Sequence, residues 1–213
     1  YEMLLRNHTP FDVIDDVYLE KEGLQRYRLI VLPNTACMSH QTAHRLKDYV
    51  RKGGNLICTF ETSLYDGHGE KQQDFQLQEV YGVKSKDRVF GPMNHDYLTP
   101  VTTHPILQDI AKWIPAPKYG IETELGEAIP LMLYSQRLTG RYDAAPSPSP
   151  DMALAVNAYG AGKAVYFAGT FADSYAAFHF NDYLRLTGNI IRELAPPLIS
   201  LENAPASLEV TLR

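Results

Sequence analysis

The chain has 213 residues, 45% apolar and 21% charged, with a formal net charge of −5. That length can bury a core and favours one domain with at most an appendage, while disorder would need lower hydrophobicity and higher net charge. No Lys/Arg run exceeds Arg51-Lys52, which argues against a nucleic-acid face, and no stretch reaches the ~18 apolar residues of a membrane helix.

Taken in order, Tyr1 to His8 reads as the end of a helix stopped by Thr9-Pro10. Because the chain opens inside that helix, its true N-terminus is expected elsewhere. Phe11 to Asp15 is short and β-prone. Arg28-Leu29-Ile30-Val31-Leu32 is a continuous apolar run, the pattern of a parallel strand covered on both faces. A helix follows, capped by Ser39, with Ala43, Leu46 and Val50 on one side, Arg51 and Lys52 in its last turn and Gly53-Gly54 ending it. Asn55 to Phe60 is a second buried strand, so the segment is a right-handed βαβ crossover with the two strands as central neighbours. On that reading Val31 and Ile57 are almost fully buried.

Residues 74–83 read as a short helix ending at Gly82, and Pro130 to Tyr134 as a strand amid short strands and turns. The Pro/Ser/Ala-rich stretch 138–151 is a loop. Met152–Asn157 and Lys163–Ala168 are strands joined by the glycine-bearing turn Tyr159-Gly160-Ala161-Gly162. A last helix covers roughly Asn181 to Leu194. After Pro196-Pro197, the alternation from Ser207 to Arg213 predicts a half-buried strand that opens another module.

Cys37 and Cys58 do not make a disulfide framework, which points to a reducing, cytoplasmic compartment. His40 and His44 have the i, i+4 spacing of zinc ligands, but His40-Gln41 lacks the Glu of the metalloprotease motif, so solvated helix histidines are the better reading and no metal is expected. Gly160-Ala161-Gly162-Lys163 precedes a strand and lacks the Ser/Thr of a phosphate loop. Ser63 has no nucleophile-elbow glycines around it. The loop after the second strand gathers Glu61, Thr62, Ser63, Asp66, His68 and Glu70. Ligands of open α/β sheets bind outside the carboxyl ends of strands, so this loop is the candidate site.

Three stretches carry a resemblance: Tyr27-Arg28-Leu29-Ile30-Val31-Leu32-Pro33-Asn34, Tyr49-Val50-Arg51-Lys52-Gly53-Gly54-Asn55-Leu56-Ile57, and Phe60-Glu61-Thr62-Ser63-Leu64-Tyr65-Asp66 with Phe75 and Tyr81-Gly82-Val83 beyond it. With the hairpin Tyr159 to Phe167, they resemble the trimerisation domain of family-42 β-galactosidases, in particular the version that follows an amylase-like glycosidase barrel in bacterial proteins. The resemblance covers most of residues 1–195.

It implies a flavodoxin-like three-layer αβα fold with a mostly parallel sheet, of the class I glutamine-amidotransferase type. In those amidotransferases the strand matching Leu56–Phe60 leads to a catalytic cysteine at a sharp turn; here that turn is Phe60-Glu61-Thr62, so amidase chemistry is not expected. In the β-galactosidases the domain follows a (β/α)8 barrel, precedes a small β-domain, packs the trimer and helps wall the neighbouring active site. The catalytic carboxylates of a retaining glycosidase sit on the barrel, so no catalytic residue carries over.

The reading is therefore residues 1–195 as this amidotransferase-like domain without its N-terminal strand, and 196–213 as a linker and the first strand of a C-terminal β-domain. Its expected function is non-catalytic: packing subunits of a glycoside hydrolase into a homo-oligomer, a trimer, beside an upstream barrel that holds the carbohydrate. Glu61, Thr62, Ser63, Asp66 and His68 form the sugar or interface loop, and no cofactor, nucleic acid or membrane is involved. The alternative is a stand-alone small-ligand-binding or hydrolytic protein of the same fold using Glu61 and Asp66.

Overall fold

The computed structural model describes residues 1–213 apart from 22, 94–95, 139–141, 143, 145, 200, 202–203, 206 and 209–213. The expected final strand lies almost wholly outside the described residues. Two short helices, α1 (Glu2–Arg6) and α2 (Asp16–Lys21), precede β1 (Leu29–Leu32), α3 (His40–Arg51) and β2 (Asn55–Thr59). Next come α4 (Gln78–Tyr81), β3 (Val83–Phe90), β4 (Tyr97–Pro100), β5 (Ile114–Pro115), β6 (Gly120–Leu125) and β7 (Ile129–Ser135). The chain then forms β8 (Pro148–Tyr159), β9 (Gly162–Phe167), α5 (Phe171–Phe178) and α6 (Asn181–Leu194).

The seven-stranded sheet runs β1-β2-β9-β8-β7-β4-β5, and β3 pairs with β6 in a separate two-stranded ribbon. Only β1–β2 and β2–β9 are parallel; β9–β8, β8–β7, β7–β4 and β4–β5 are antiparallel. The sheet is thus mixed, and the expectation of a mostly parallel one is corrected. Met152 to Val156 are all buried because both faces of β8 are covered. Double coverage produces a continuous apolar run whichever way the strand points. Its direction follows from the tight turn at Gly160-Ala161, which can only join antiparallel neighbours.

Alternation across the strands separates two cores. Leu56, Cys58, Ala164 and Tyr166 pack with Leu46, Tyr49 and Val50 of α3 on one face. Ile57, Val165 and Phe167 pack with Tyr183, Leu186 and Ile190 of α6 on the other. Ser39 caps α3 by accepting the Thr42 N–H at 3.1 Å, and Gly53 carries the chain out at φ 104°.

Other sequence expectations shift. β1 is an edge strand, parallel to β2 as expected but not central, and Val31 is 36% exposed while Ile57 is 9% exposed. Phe11 to Asp15 forms no strand. The helix expected over 74–83 is confined to Gln78–Tyr81, ending on Gly82 at φ 67°. Part of the 138–151 stretch, from Pro148, belongs to β8. The short strands expected amid turns before Pro130 include the ribbon β3–β6, whose bounds the sequence pattern does not set, and α5 has no counterpart among the expected elements.

Candidate functional site

The candidate loop leaves the carboxyl end of β2 through Phe60, whose φ of 53° lies in the left-handed region. Neighbouring groups hold that turn. The Phe60 N–H donates to the Phe167 carbonyl at 2.8 Å, and the Tyr166 hydroxyl donates to the Phe60 carbonyl. Burial pushes the Tyr166 phenol well above its ordinary range, so it remains a neutral donor. From the end of β1, the Asn34 side-chain oxygen accepts the Glu61 N–H at 3.2 Å, while its own N–H reaches Thr59 Oγ1 at 2.9 Å.

Two of the five candidate residues turn inward. Thr62 is fully buried, its hydroxyl 2.6 Å from the Thr59 carbonyl and 3.1 Å from that of Leu32. Ser63 is also fully buried at φ 66°; its Oγ accepts the Leu77 N–H at 3.3 Å and lies 3.3 Å from the Tyr81 hydroxyl. Both hydroxyls tie the loop to the sheet and to α4. The loop then continues the parallel pairing beyond the strands: Ser63 N–H to Thr35 carbonyl at 2.9 Å, Tyr65 N–H to Ala36 carbonyl at 3.0 Å, and Met38 N–H to Tyr65 carbonyl at 3.0 Å.

Glu61, Asp66 and His68 reach the surface to different degrees. Glu61 accepts the Tyr65 hydroxyl at 3.2 Å. One Asp66 oxygen accepts the N–H groups of His68 at 2.8 Å and Glu70 at 3.0 Å, which hold its carboxyl below the usual range. Asp66 therefore braces a tight loop with one oxygen, and the other accepts no hydrogen bond among the described residues. His68 is exposed, and its ring makes no hydrogen bond among the described residues.

Beside the loop lies an open groove of about 600 Å³, walled by Gln72, Gln73, Gln76 and Gln78 with Asp74, Lys84, Ser85 and Glu124. The sequence reading missed it, although the clustered glutamines from 72 to 78 were the visible signal. Amides present donor and acceptor together and match hydroxyl-rich surfaces. Gln76 is already spent, donating to the carbonyls of Met38 at 2.7 Å and Tyr65 at 3.0 Å. Gln73, Gln78, Lys84 and Glu124 are the groups left to face outward.

Reactive groups are poorly placed for chemistry. Cys58 is fully buried and burial pushes its thiol up to about 12, so it stays protonated and inert. His40 contacts the Gln76 side chain at 2.8 Å and His44 lies 3.6 Å from Asp48, so the two histidines serve separate partners. Among the described residues no group of three or more His, Cys, Asp or Glu is arranged to hold a metal ion, and no helix is long and apolar enough to cross a membrane.

The class of protein these features define is a mixed α/β domain with a braced polar loop at the carboxyl end of a parallel strand. The family is shown directly: residues 1–188 match the β-galactosidase trimerisation domain, and the chain belongs to that family of non-catalytic domains. It is 35% identical over 66 residues to the β-galactosidase BglY of Alicyclobacillus acidocaldarius, a stretch that spans 31% of this chain and 9% of that protein.

Among solved structures, it resembles the β-galactosidase from Rahnella sp. R3 with a TM-score of 0.70 and 18% identity, covering 92% of this chain and 26% of that one. It also resembles the cytoplasmic protein STM1381 from Salmonella typhimurium LT2 with a TM-score of 0.68 and 15% identity, covering 91% of this chain and 86% of that one. At those identities the structural likeness speaks for the fold. The chain spans only about a quarter of the Rahnella enzyme.

Proposed function

We propose that, within its full-length protein, this domain packs glycoside-hydrolase subunits into a homotrimer beside an upstream (β/α)8 barrel, with the 61–74 loop bordering a sugar site at the barrel mouth. The observation that carries the proposal is the family match over residues 1–188 of a chain that spans about a quarter of the β-galactosidase it resembles. Catalytic carboxylates then belong to the barrel, and this domain contributes shape and polar contacts. The parallel half of the sheet, β1-β2-β9 with α3 on one face and α6 on the other, supports the finer reading of a flavodoxin-like, amidotransferase-related ancestry without the amidase cysteine. Residence in the cytoplasm accords with the free thiols of Cys37 and Cys58.

A second reading has one observation in its favour: the chain covers 86% of STM1381, so the fold also occurs in proteins of about this size. On that reading the loop with Glu61 and Asp66 binds a small ligand unaided.

His68→Ala in the full-length enzyme separates a site role from a bracing role. It removes a side chain that makes no hydrogen bond among the described residues. If that side chain contacts substrate, kcat/KM falls about tenfold, the worth of one hydrogen bond of about 1.4 kcal/mol, and the thermal midpoint holds. Asp66→Ala should lower both kcat/KM and the midpoint, because the two N–H groups it holds are released. Unchanged kinetics in both variants would contradict a sugar-bordering loop and leave Asp66 as a brace only.

A further inference from the structure

We propose that the elbow between α5 and α6, with the Phe178 ring at its tip, is where this domain grips the neighbouring protomer, a contact that presupposes the homotrimer proposed above.

Helix periodicity gives the first ground. Phe171, Ser174, Tyr175 and Phe178 fall at i, i+3, i+4 and i+7 on α5, one continuous stripe along the helix. The start of the stripe is covered: Phe171 is 7% exposed and Tyr175 2%, both within the core shared with α6. Its end is not, and Phe178 is 66% exposed. The described residues include all eight phenylalanines, and the other seven are buried or half-buried. A stripe with core spacing thus runs past the edge of the core that this domain supplies for itself.

The uncovered ring is held in one pose. His179 takes the left-handed conformation at φ 53°, and its N–H donates to the Tyr175 carbonyl at 2.7 Å, which ends α5 and turns the chain into α6. That turn stacks Phe178 on Phe180 at a centroid distance of 5.3 Å and an interplanar angle of 24°. Phe180 is itself anchored, packing against the α6-side core and meeting the Tyr183 ring edge-on at 5.7 Å. His179 Nε2 lies 3.3 Å from a Glu2 oxygen, which ties the elbow to α1. A ring fixed beforehand loses little freedom when a partner covers it, the property of an interface anchor.

Charge and symmetry select the occupant. The exposed positions of α3 are His40, Gln41, His44 and Arg51, and those of α6 are Asn181, Arg185 and Arg192, polar faces suited to water. On α5 they are Ala172, Asp173, Ala176, Ala177 and Phe178, and the single charge sits in the first turn, where the helix dipole favours it. An aromatic surrounded by uncharged positions has the composition of the core of a subunit interface. The chain belongs to a family of trimerisation domains, so the partner is a second copy. Three-fold assembly uses a heterologous contact, in which a patch on one protomer meets a different surface of the next, and a single projecting ring suits it without pairing with itself. Position agrees. From the elbow α6 runs back to the start of β2, where the Asn55 amide donates to the Leu194 carbonyl at 2.8 Å. The elbow therefore lies at the carboxyl end of β2 and its parallel neighbour β9, the end from which the 61–74 loop leaves.

Native mass of the full-length protein, followed by light scattering through a dilution series, tests the elbow. Phe178→Asp, and Ala177→Arg at the adjoining exposed position, each place a charge in the contact. Each should raise the concentration at which the trimer falls apart by at least about thirtyfold, the loss expected of one interface anchor. Slow amide exchange in β2 and β9 persists in both variants and shows an intact sheet. Trimers that dissociate at the same concentration as the unaltered protein overturn the proposal and assign the elbow to another domain of the same polypeptide. Dissociation accompanied by fast exchange in β2 and β9 overturns it too, because the ring then serves the fold. An unaltered protein that is a single protomer at every concentration instead removes the trimer itself, a failure distinct from trimeric variants of a trimeric protein.

Discussion

Gly162→Ala should lower stability by about 3 kcal/mol or more. A Cβ at this position would lie 2.0 Å from the Gly54 carbonyl oxygen and 2.5 Å from that of Val50, both main-chain atoms that cannot swing aside. The same hairpin presses Gly160, at φ 61°, to within 2.6 Å of the Arg51 Cα for an added Cβ. The turn between β8 and β9 is therefore docked on the last turn of α3, and its two glycines permit that approach. Gly23→Ala is the matched control, because nothing lies within 4 Å of its Cβ position, and its effect should stay within about 0.5 kcal/mol. Denaturant unfolding of both variants checks the contrast, and equal midpoints would show that the hairpin does not dock as described.

Tyr166 supplies the second large effect. It is fully buried, stacks on Tyr81 at a centroid distance of 4.8 Å, packs on Phe75 at 5.3 Å and donates to the Phe60 carbonyl. Tyr166→Ala should cost about 3–5 kcal/mol through the cavity it leaves. Tyr166→Phe keeps the packing and strips only the donor, leaving a buried carbonyl unpaired at a cost of about 1–3 kcal/mol. That carbonyl belongs to the left-handed residue that launches the 61–74 loop, so the phenylalanine variant should also speed amide exchange from Glu61 to Leu64. Loss of stability without any change in that loop would separate the core tyrosine from the site it is argued to support.

The unit β1-α3-β2 was legible because each signal in it is local: an apolar run, the Ser39 cap, the Gly53-Gly54 stop. The β8–β9 hairpin and α6 were legible for the same reason. Sheet order was not, because strand direction beyond β9 depends on which neighbours the chain returns to, and an apolar run such as Met152–Val156 carries no direction. The ribbon strand β3 carries no strand pattern in the sequence because Lys84, Lys86, Asp87 and Arg88 are exposed and Asp87, at φ 58°, breaks the alternation. At the candidate site, residue type alone did not separate Thr62 and Ser63, whose hydroxyls are consumed by main-chain and core partners, from Glu61, Asp66 and His68 on the outside. Polarity marks a residue that needs partners, and only the fold says whether those partners are internal.

The native mass of the full-length protein, measured by light scattering with and without residues 1–195, tests the trimerisation role most directly. The expected masses are three protomers for the intact protein and a single protomer once this domain is removed, with the remaining domains still folded. A monomeric intact protein, or a trimer that survives the deletion, would contradict it.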